Sequence, residues 1–221
     1  MSPKKRNAIY DGGEQKNTIS KKTYNAIIGG IILYGIVIIA LVMFLFEAYI
    51  EIMSSTVTDI LFTVFMLAGG CMAYILKNPI LNLIGFTLEV LGTGIFLSYL
   101  FSLGLESTIL SIIITGSITV LMVLVSFFSP SLFHRRMPAL GTGVIFAIVG
   151  NTIATALGYR GDLFSWVFIA IISAYIGYDF YKAQKFDKTI INAIKAALDL
   201  YLNAFLLFTM IFKLFSKKGK K

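Results

Sequence analysis

The chain has 221 residues, 57% of them hydrophobic and 14% charged, where an ordinary soluble domain carries about a quarter charged residues. The formal net charge of +8 does not point to nucleic acid, because the basic residues sit in two tails and a few short links and build no continuous face. One cysteine, Cys71, and one histidine, His134, exclude an internal disulfide and a His- or Cys-based metal cluster.

Residues 1–22 are polar and rich in lysine, and the apolar block that follows is too long for a signal-peptide core. They are read as a disordered basic cytosolic tail. Apolar blocks of roughly 20 residues come next, the helix length that a hydrocarbon core about 30 Å thick requires. The predicted spans are roughly 25–47, 57–76, 79–103, 107–129, 139–158, 163–181 and 190–215. Lys77-Asn78-Pro79 breaks the second from the third, and Ser129-Pro130 ends the fourth. Residues 23–216 thus form a seven-helix transmembrane domain, and 217–221 a basic C-terminal tail. The fold class is an all-α integral membrane protein. Gly29-Gly30, Gly69-Gly70, Gly92 with Gly94, and Gly141 with Gly143 lie in or at spans, where small residues let helix backbones approach.

Basic links alternate with acidic or neutral ones. Lys4, Lys5, Arg6, Lys16, Lys21 and Lys22 mark the N-terminal tail, Lys77 the second link, His134, Arg135 and Arg136 the fourth, and Lys182, Lys185 and Lys188 the sixth. By the positive-inside rule the N-terminus is cytoplasmic. The C-terminal lysines oppose a seventh crossing. A seventh span is nonetheless the reading, because the summed bias of the earlier links outweighs the last charges.

A charged group deep in a span costs at least about 2.5–3.5 kcal/mol on insertion scales, so it needs a reason to be there. Glu89 sits near the middle of the third span, Asp179 near the end of the sixth, and Lys77 at the end of the second. Lys195, Asp199 and Asn203 are spaced by four in the seventh and form one polar stripe on a helix. A helix apolar nearly all round with one such stripe belongs in the middle of a bundle or against a water-filled cavity. The competing reading has Lys195 snorkel to the interface.

Tyr175-Ile176-Gly177-Tyr178-Asp179 and Ala197-Leu198-Asp199-Leu200-Tyr201-Leu202-Asn203 resemble the sixth and seventh helices of the Bax inhibitor family. Gly94-Ile95-Phe96-Leu97-Ser98 in the third span agrees with it as well. The resemblance implies a bundle of seven transmembrane helices with the seventh central, and a pH-sensitive calcium leak. It also implies that two aspartates, on the sixth and seventh helices, act as the pH sensor, with a basic residue of the second helix latching the closed state. Asp179 matches the first aspartate, but Asn203 stands at the second, so the like-charge repulsion behind such a switch is missing. Asp199 is an extra carboxylate one turn earlier, able to restore a two-carboxylate site with Asp179 or to bind a cation. Lys77 falls near the latch position, yet a lysine cannot form the bidentate fork of an arginine. Lys195 and Glu89 are further candidates for modulation.

The function expected is therefore a membrane ion leak channel, for calcium, with altered pH sensitivity. Asp179, Asp199 and Asn203 are its ion-binding or pH-sensing residues, and Asp179 and Asp199 its weak calcium ligands. The alternative is a non-conducting membrane regulator that binds other membrane proteins such as a protease. An enzyme is not expected, since the lone histidine, His134, lies in a link, no metal motif is present, and Asp179 with Asp199 lacks the glycine-flanked setting of intramembrane aspartyl proteases. No tightly bound cofactor is expected beyond calcium as the transported ion. The partners expected are the lipid bilayer of the inner cell membrane, calcium or protons, and other membrane proteins.

Overall fold

The computed structural model describes residues 18–50, 53–133 and 162–218. They form six helices: α1 (Lys21–Ile50), α2 (Ser55–Ile75), α3 (Pro79–Leu103), α4 (Leu105–Phe128), α5 (Asp162–Lys185) and α6 (Ile190–Lys218). The fifth predicted span, 139–158, lies outside the described residues, as do His134, Arg135 and Arg136.

Side-chain caps set four of the helix starts. Ser20 accepts the Thr23 N–H on its Oγ (3.1 Å) and the Tyr24 N–H on its carbonyl (2.9 Å), so α1 begins at Lys21, before the apolar run. Ser54 accepts the Val57 N–H for α2 (3.4 Å), and Thr189 accepts the Asn192 N–H for α6 (3.2 Å). At α3 the Asn78 Oδ1 accepts from Ile80 N–H (2.9 Å) while Pro79 fills the first helical position, which needs no N–H.

Five of the helices are long and apolar enough to cross a membrane, over Lys21–Phe46, Ser55–Ile75, Pro79–Leu103, Leu105–Phe128 and Ile190–Ser216. The fold is that of a multi-span, all-helical membrane protein. The expected sixth span is present as the helix α5, but it is more polar, with Asp179, Lys182 and Lys185 in its second half. Solvation is inverted relative to a soluble protein. Phe44 and Phe128 are 76% and 75% exposed, whereas Asn82, Glu89, Thr108, Ser111 and Asp179 are buried. Some buried hydroxyls bond to the preceding turn, Thr93 to Glu89 O (3.0 Å), Ser98 to Gly94 O (2.8 Å) and Ser111 to Ser107 O (2.6 Å).

Two compact units divide the chain. One draws on the residues up to Leu103 and on Lys185–Leu198; the other on Gly104–Gln184 and the residues from Asp199 onward. In the first, α2 and α3 cross at Gly69 and Gly85. A Cβ on Gly69 would lie 2.6 Å from Gly85 O, and one on Gly85 would lie 2.6 Å from Ala73 N, so backbone meets backbone there. Gly92 receives Phe65 and Gly94 receives Val42 in the same way. Gly29 and Gly30 differ from the expectation, since a Cβ on either meets nothing within 4 Å. The buried Tyr24 ties α1 to the start of α6: its hydroxyl donates to Asn192 O (3.3 Å), and Lys188 Nζ stands 4.6 Å above its ring. In the second unit, Gly177 on α5 leaves room for the Phe133 ring.

Candidate functional site

The link from Lys185 to Ile190 is short, so α5 and α6 run antiparallel where the second unit holds them together. In such a pair, one turn forward on one helix faces one turn back on the other. Asp179 and Lys182 are three apart on α5, and Asp199 and Asn203 four apart on α6, each pair on one face of its helix. The register sets Asp179 against Asn203 and Lys182 against Asp199. Asn203 Nδ2 donates to Asp179 Oδ2. Lys182 Nζ donates to Asp199 Oδ2 at 3.1 Å and lies 3.7 Å from Asp179 Oδ1. One ammonium thus serves two carboxylates from two helices.

The cluster is graded in exposure. The Asp179 side chain is 7% exposed, that of Asp199 14%, and that of Lys182 27%. Removing carboxylates from water costs free energy that partners must return. Asn203 and Lys182 return it here without a second carboxylate at position 203. The four side chains carry two formal negative charges and one positive. Among the described residues no three His, Cys, Asp or Glu side chains converge, so a cation here would find two carboxylates and amide or water oxygens.

Lys182 was expected in the sixth link. It stands instead in the last turns of α5, which runs on to Lys185. Hydropathy ends near Asp179, but the helical hydrogen bonds continue. The signal that finds Lys182 is its position three residues after Asp179, taken together with the antiparallel register.

The other candidates belong to the first unit. Lys195 is buried, 7% exposed, and its Nζ donates to Tyr74 O at 3.0 Å, on the last turn of α2. Asn82, fully buried on α3, donates through Nδ2 to Ala73 O and to Leu76 O (2.9 Å). A helix end leaves four carbonyls unbonded. A side chain just past the link, Asn82, and one 121 residues from Tyr74, Lys195, therefore cover the end of α2, and sequence reading did not single out Asn82. Glu89, 1% exposed, lies across the Gly69-Gly70 step: a Cβ on Gly69 would come 2.6 Å from its Cγ, and one on Gly70 would come 3.2 Å from its Oε1. Those two glycines make room for its side chain. Lys77 is exposed in the three-residue link between α2 and α3.

A family model described as "Inhibitor of apoptosis-promoting Bax1" matches residues 16–220, nearly the whole chain. The chain belongs to the Bax inhibitor family. No curated protein and no solved structure matches it. Membership in the Bax inhibitor family covers α1 through α6, both units and the four-residue cluster. It also fixes the class as a multi-span membrane protein, in agreement with the five apolar helices.

Proposed function

We propose that this member of the Bax inhibitor family is a cation leak protein of the inner cell membrane, a seven-span bundle built around α6 that passes calcium. The observation that supports this is the polar cluster of Asp179, Asp199 and Asn203, which two helices gather in otherwise apolar surroundings. Carboxylate and amide oxygens suit a hard cation, and so few of them bind it weakly enough to let it go. With Asn203 opposite Asp179, the second carboxylate of the cluster is Asp199, and the Lys182 ammonium between the two offsets the repulsion that would drive a pH switch, so leak with altered, weaker pH dependence is the reading. Calcium is cargo here, not a resident cofactor, and no catalytic role is assigned. The alternating basic links favour a cytoplasmic N-terminus.

The test is calcium entry into vesicles that hold the purified protein. Asp179→Ala and Asp199→Ala are expected to change the flux by several-fold. Unchanged flux in both would remove the cluster from the path.

A second reading is a non-conducting regulator that binds membrane proteins such as a protease. It is favoured by the way the four polar groups satisfy one another, as a lock between helices would. Vesicles that stay tight, together with co-purification of a membrane protease, would select it.

A further inference from the structure

Hydroxyl groups follow one face of α4. Thr108, Ser111, Thr115, Thr119 and Ser126 are spaced so that, on a helix turning about 100° per residue, they share an arc of about 80°. Met122 lies in the same arc, and a Cβ on Gly177 of α5 would come 3.2 Å from its Cε, so the row looks into the second unit. Thr115 and Ser126 are only 7% and 3% exposed. Among the described residues, the hydroxyl oxygens of Thr115, Thr119 and Ser126 are buried and make no hydrogen bond within the chain. We propose that this stretch of α4, from Thr115 to Ser126, walls a water-filled crevice in the second unit, with water molecules hydrogen-bonded to the three hydroxyls. As an entrance for ions the crevice rests on the leak reading; as a hydrated cleft it stands without it.

The same helix supplies the comparison. A serine or threonine in a helix can satisfy its hydroxyl on the carbonyl four residues back, and in hydrocarbon it has no better choice. Ser117, exposed on the opposite face, bonds to Ile113 O at 2.8 Å. Thr108 and Ser111 bond to Gly104 O and Ser107 O at 2.8 and 2.6 Å. Thr115, Thr119 and Ser126 turn away from that bond, although the helix offers each of them the same kind of carbonyl. A buried hydroxyl that forgoes a bond to its own helix is stable only where another partner replaces it. Water is such a partner, since it both donates and accepts, and a row of polar groups gives each molecule the contacts that hold it. From Thr115 to Ser126 the helix rises about 16 Å, roughly half of a hydrocarbon core about 30 Å thick. The self-bonded Thr108 and Ser111 end the hydrated stretch toward Leu105, so the crevice opens at the Phe128 end of α4 and is closed at the other. A cation entering it meets hydroxyl and water oxygens, which replace part of its hydration without binding it tightly.

The experiment measures the reactivity of cysteines placed on α4 of the full-length protein in vesicles, on a Cys71→Ser background that removes the native thiol. Thr115→Cys, Thr119→Cys and Ser126→Cys are compared with Ile113→Cys and Leu124→Cys, whose native side chains are exposed on the outer face. The probe, a cationic methanethiosulfonate present on both sides of the membrane, reacts with the thiolate and so needs water at the sulfur. The three inner cysteines are expected to be labelled at least about tenfold faster than the two outer ones. Equally slow labelling at all five positions, with full reaction of each once the protein is unfolded, would overturn the crevice. A second measurement is independent of the cysteines. Thr115→Val removes a hydroxyl and keeps the branched shape. In a dry interior it relieves an unpaired polar group and raises the thermal midpoint in detergent; in a wet crevice it does not. An unraised midpoint is expected, and a raised one would overturn the inference. Calcium flux in the same vesicles separates the crevice from the leak. Fast inner labelling in a protein that passes no calcium would keep the crevice and discard the leak, and calcium flux with slow labelling would do the reverse.

Discussion

The ammonium of Lys195 rests on the carbonyl oxygen of Tyr74, 3.0 Å away, joining α6 to the last turn of α2 across 121 residues of sequence. A positive group at a helix C-terminus interacts favourably with the partial charge of its unbonded carbonyls. Lys195→Met removes this donor from a buried side chain, and the part-buried carbonyl loses it. The variant is expected to be less stable by about 1–3 kcal/mol, read as an earlier thermal unfolding transition in detergent. Lys195→Arg should recover part of the loss, and equal transitions for wild type and Lys195→Met would refute the cap.

The crossing of α2 and α3 predicts a contrast between glycines. Gly85→Ala places a methyl 2.6 Å from backbone atoms of α2, which have no side chain to move aside. It should cost about 1–3 kcal/mol. Gly29→Ala, on the open side of α1, should be neutral or slightly stabilising, because alanine favours the helix by up to about 1 kcal/mol. Thermal unfolding of the two variants side by side decides it. Comparable losses would show that both glycines pack.

Asn203→Asp sets a second carboxylate against Asp179, with Asp199 and Lys182 close by. Two adjacent carboxylates do not ionise independently, so proton occupancy of the pair changes with pH. If the protein passes calcium, flux of this variant should depend more steeply on pH than that of wild type, by at most about tenfold per pH unit for one titrating proton. Parallel flux curves for the two proteins across about pH 6 to 8 would count against any role of the pair in gating.

Lys188, in the link between α5 and α6, has its pKa lowered, by burial first and by the neighbouring Lys21 next. The folded protein therefore binds fewer protons at this site than the unfolded chain does. The resulting penalty is fully present below the lowered pKa and disappears as pH rises through it to the ordinary lysine range. Lys188→Met keeps the aliphatic stem over Tyr24 and removes the charge. Its thermal midpoint relative to wild type should be higher near neutral pH than at strongly alkaline pH, where the difference shrinks. A difference that does not vary with pH would show that the lysine contributes through packing alone.

The spans were legible where local chemistry agrees with hydropathy. α3 runs over Pro79–Leu103, the predicted range, because Asn78-Pro79 supplies both a cap and a first helical residue. α1 begins earlier than the predicted 25 because its start is set by the hydroxyl of Ser20, inside a polar stretch that hydropathy reads as tail. α5 outlasts its predicted end at 181 for a similar reason: backbone hydrogen bonds do not stop where apolar side chains do. That difference hid Lys182, which looks like a loop charge in sequence and proves to be a helical one. Asp179, Asp199 and Asn203 stood out because polar groups in apolar blocks are costly. What they touch depends on the register of two antiparallel helices. Asn82 gave no signal, since a single amide beside a proline link looks like turn chemistry.

Glu89 lying on Gly69-Gly70 bears on how the chain is made. Entering lipid alone, α3 would carry a carboxyl group into hydrocarbon, at about 2.5–3.5 kcal/mol or more. Its shelter is a notch in the helix synthesised just before it, joined to it by only three residues. The order of synthesis therefore delivers the cover before the charge, and α2 and α3 are suited to leave the insertion machinery as a closed hairpin.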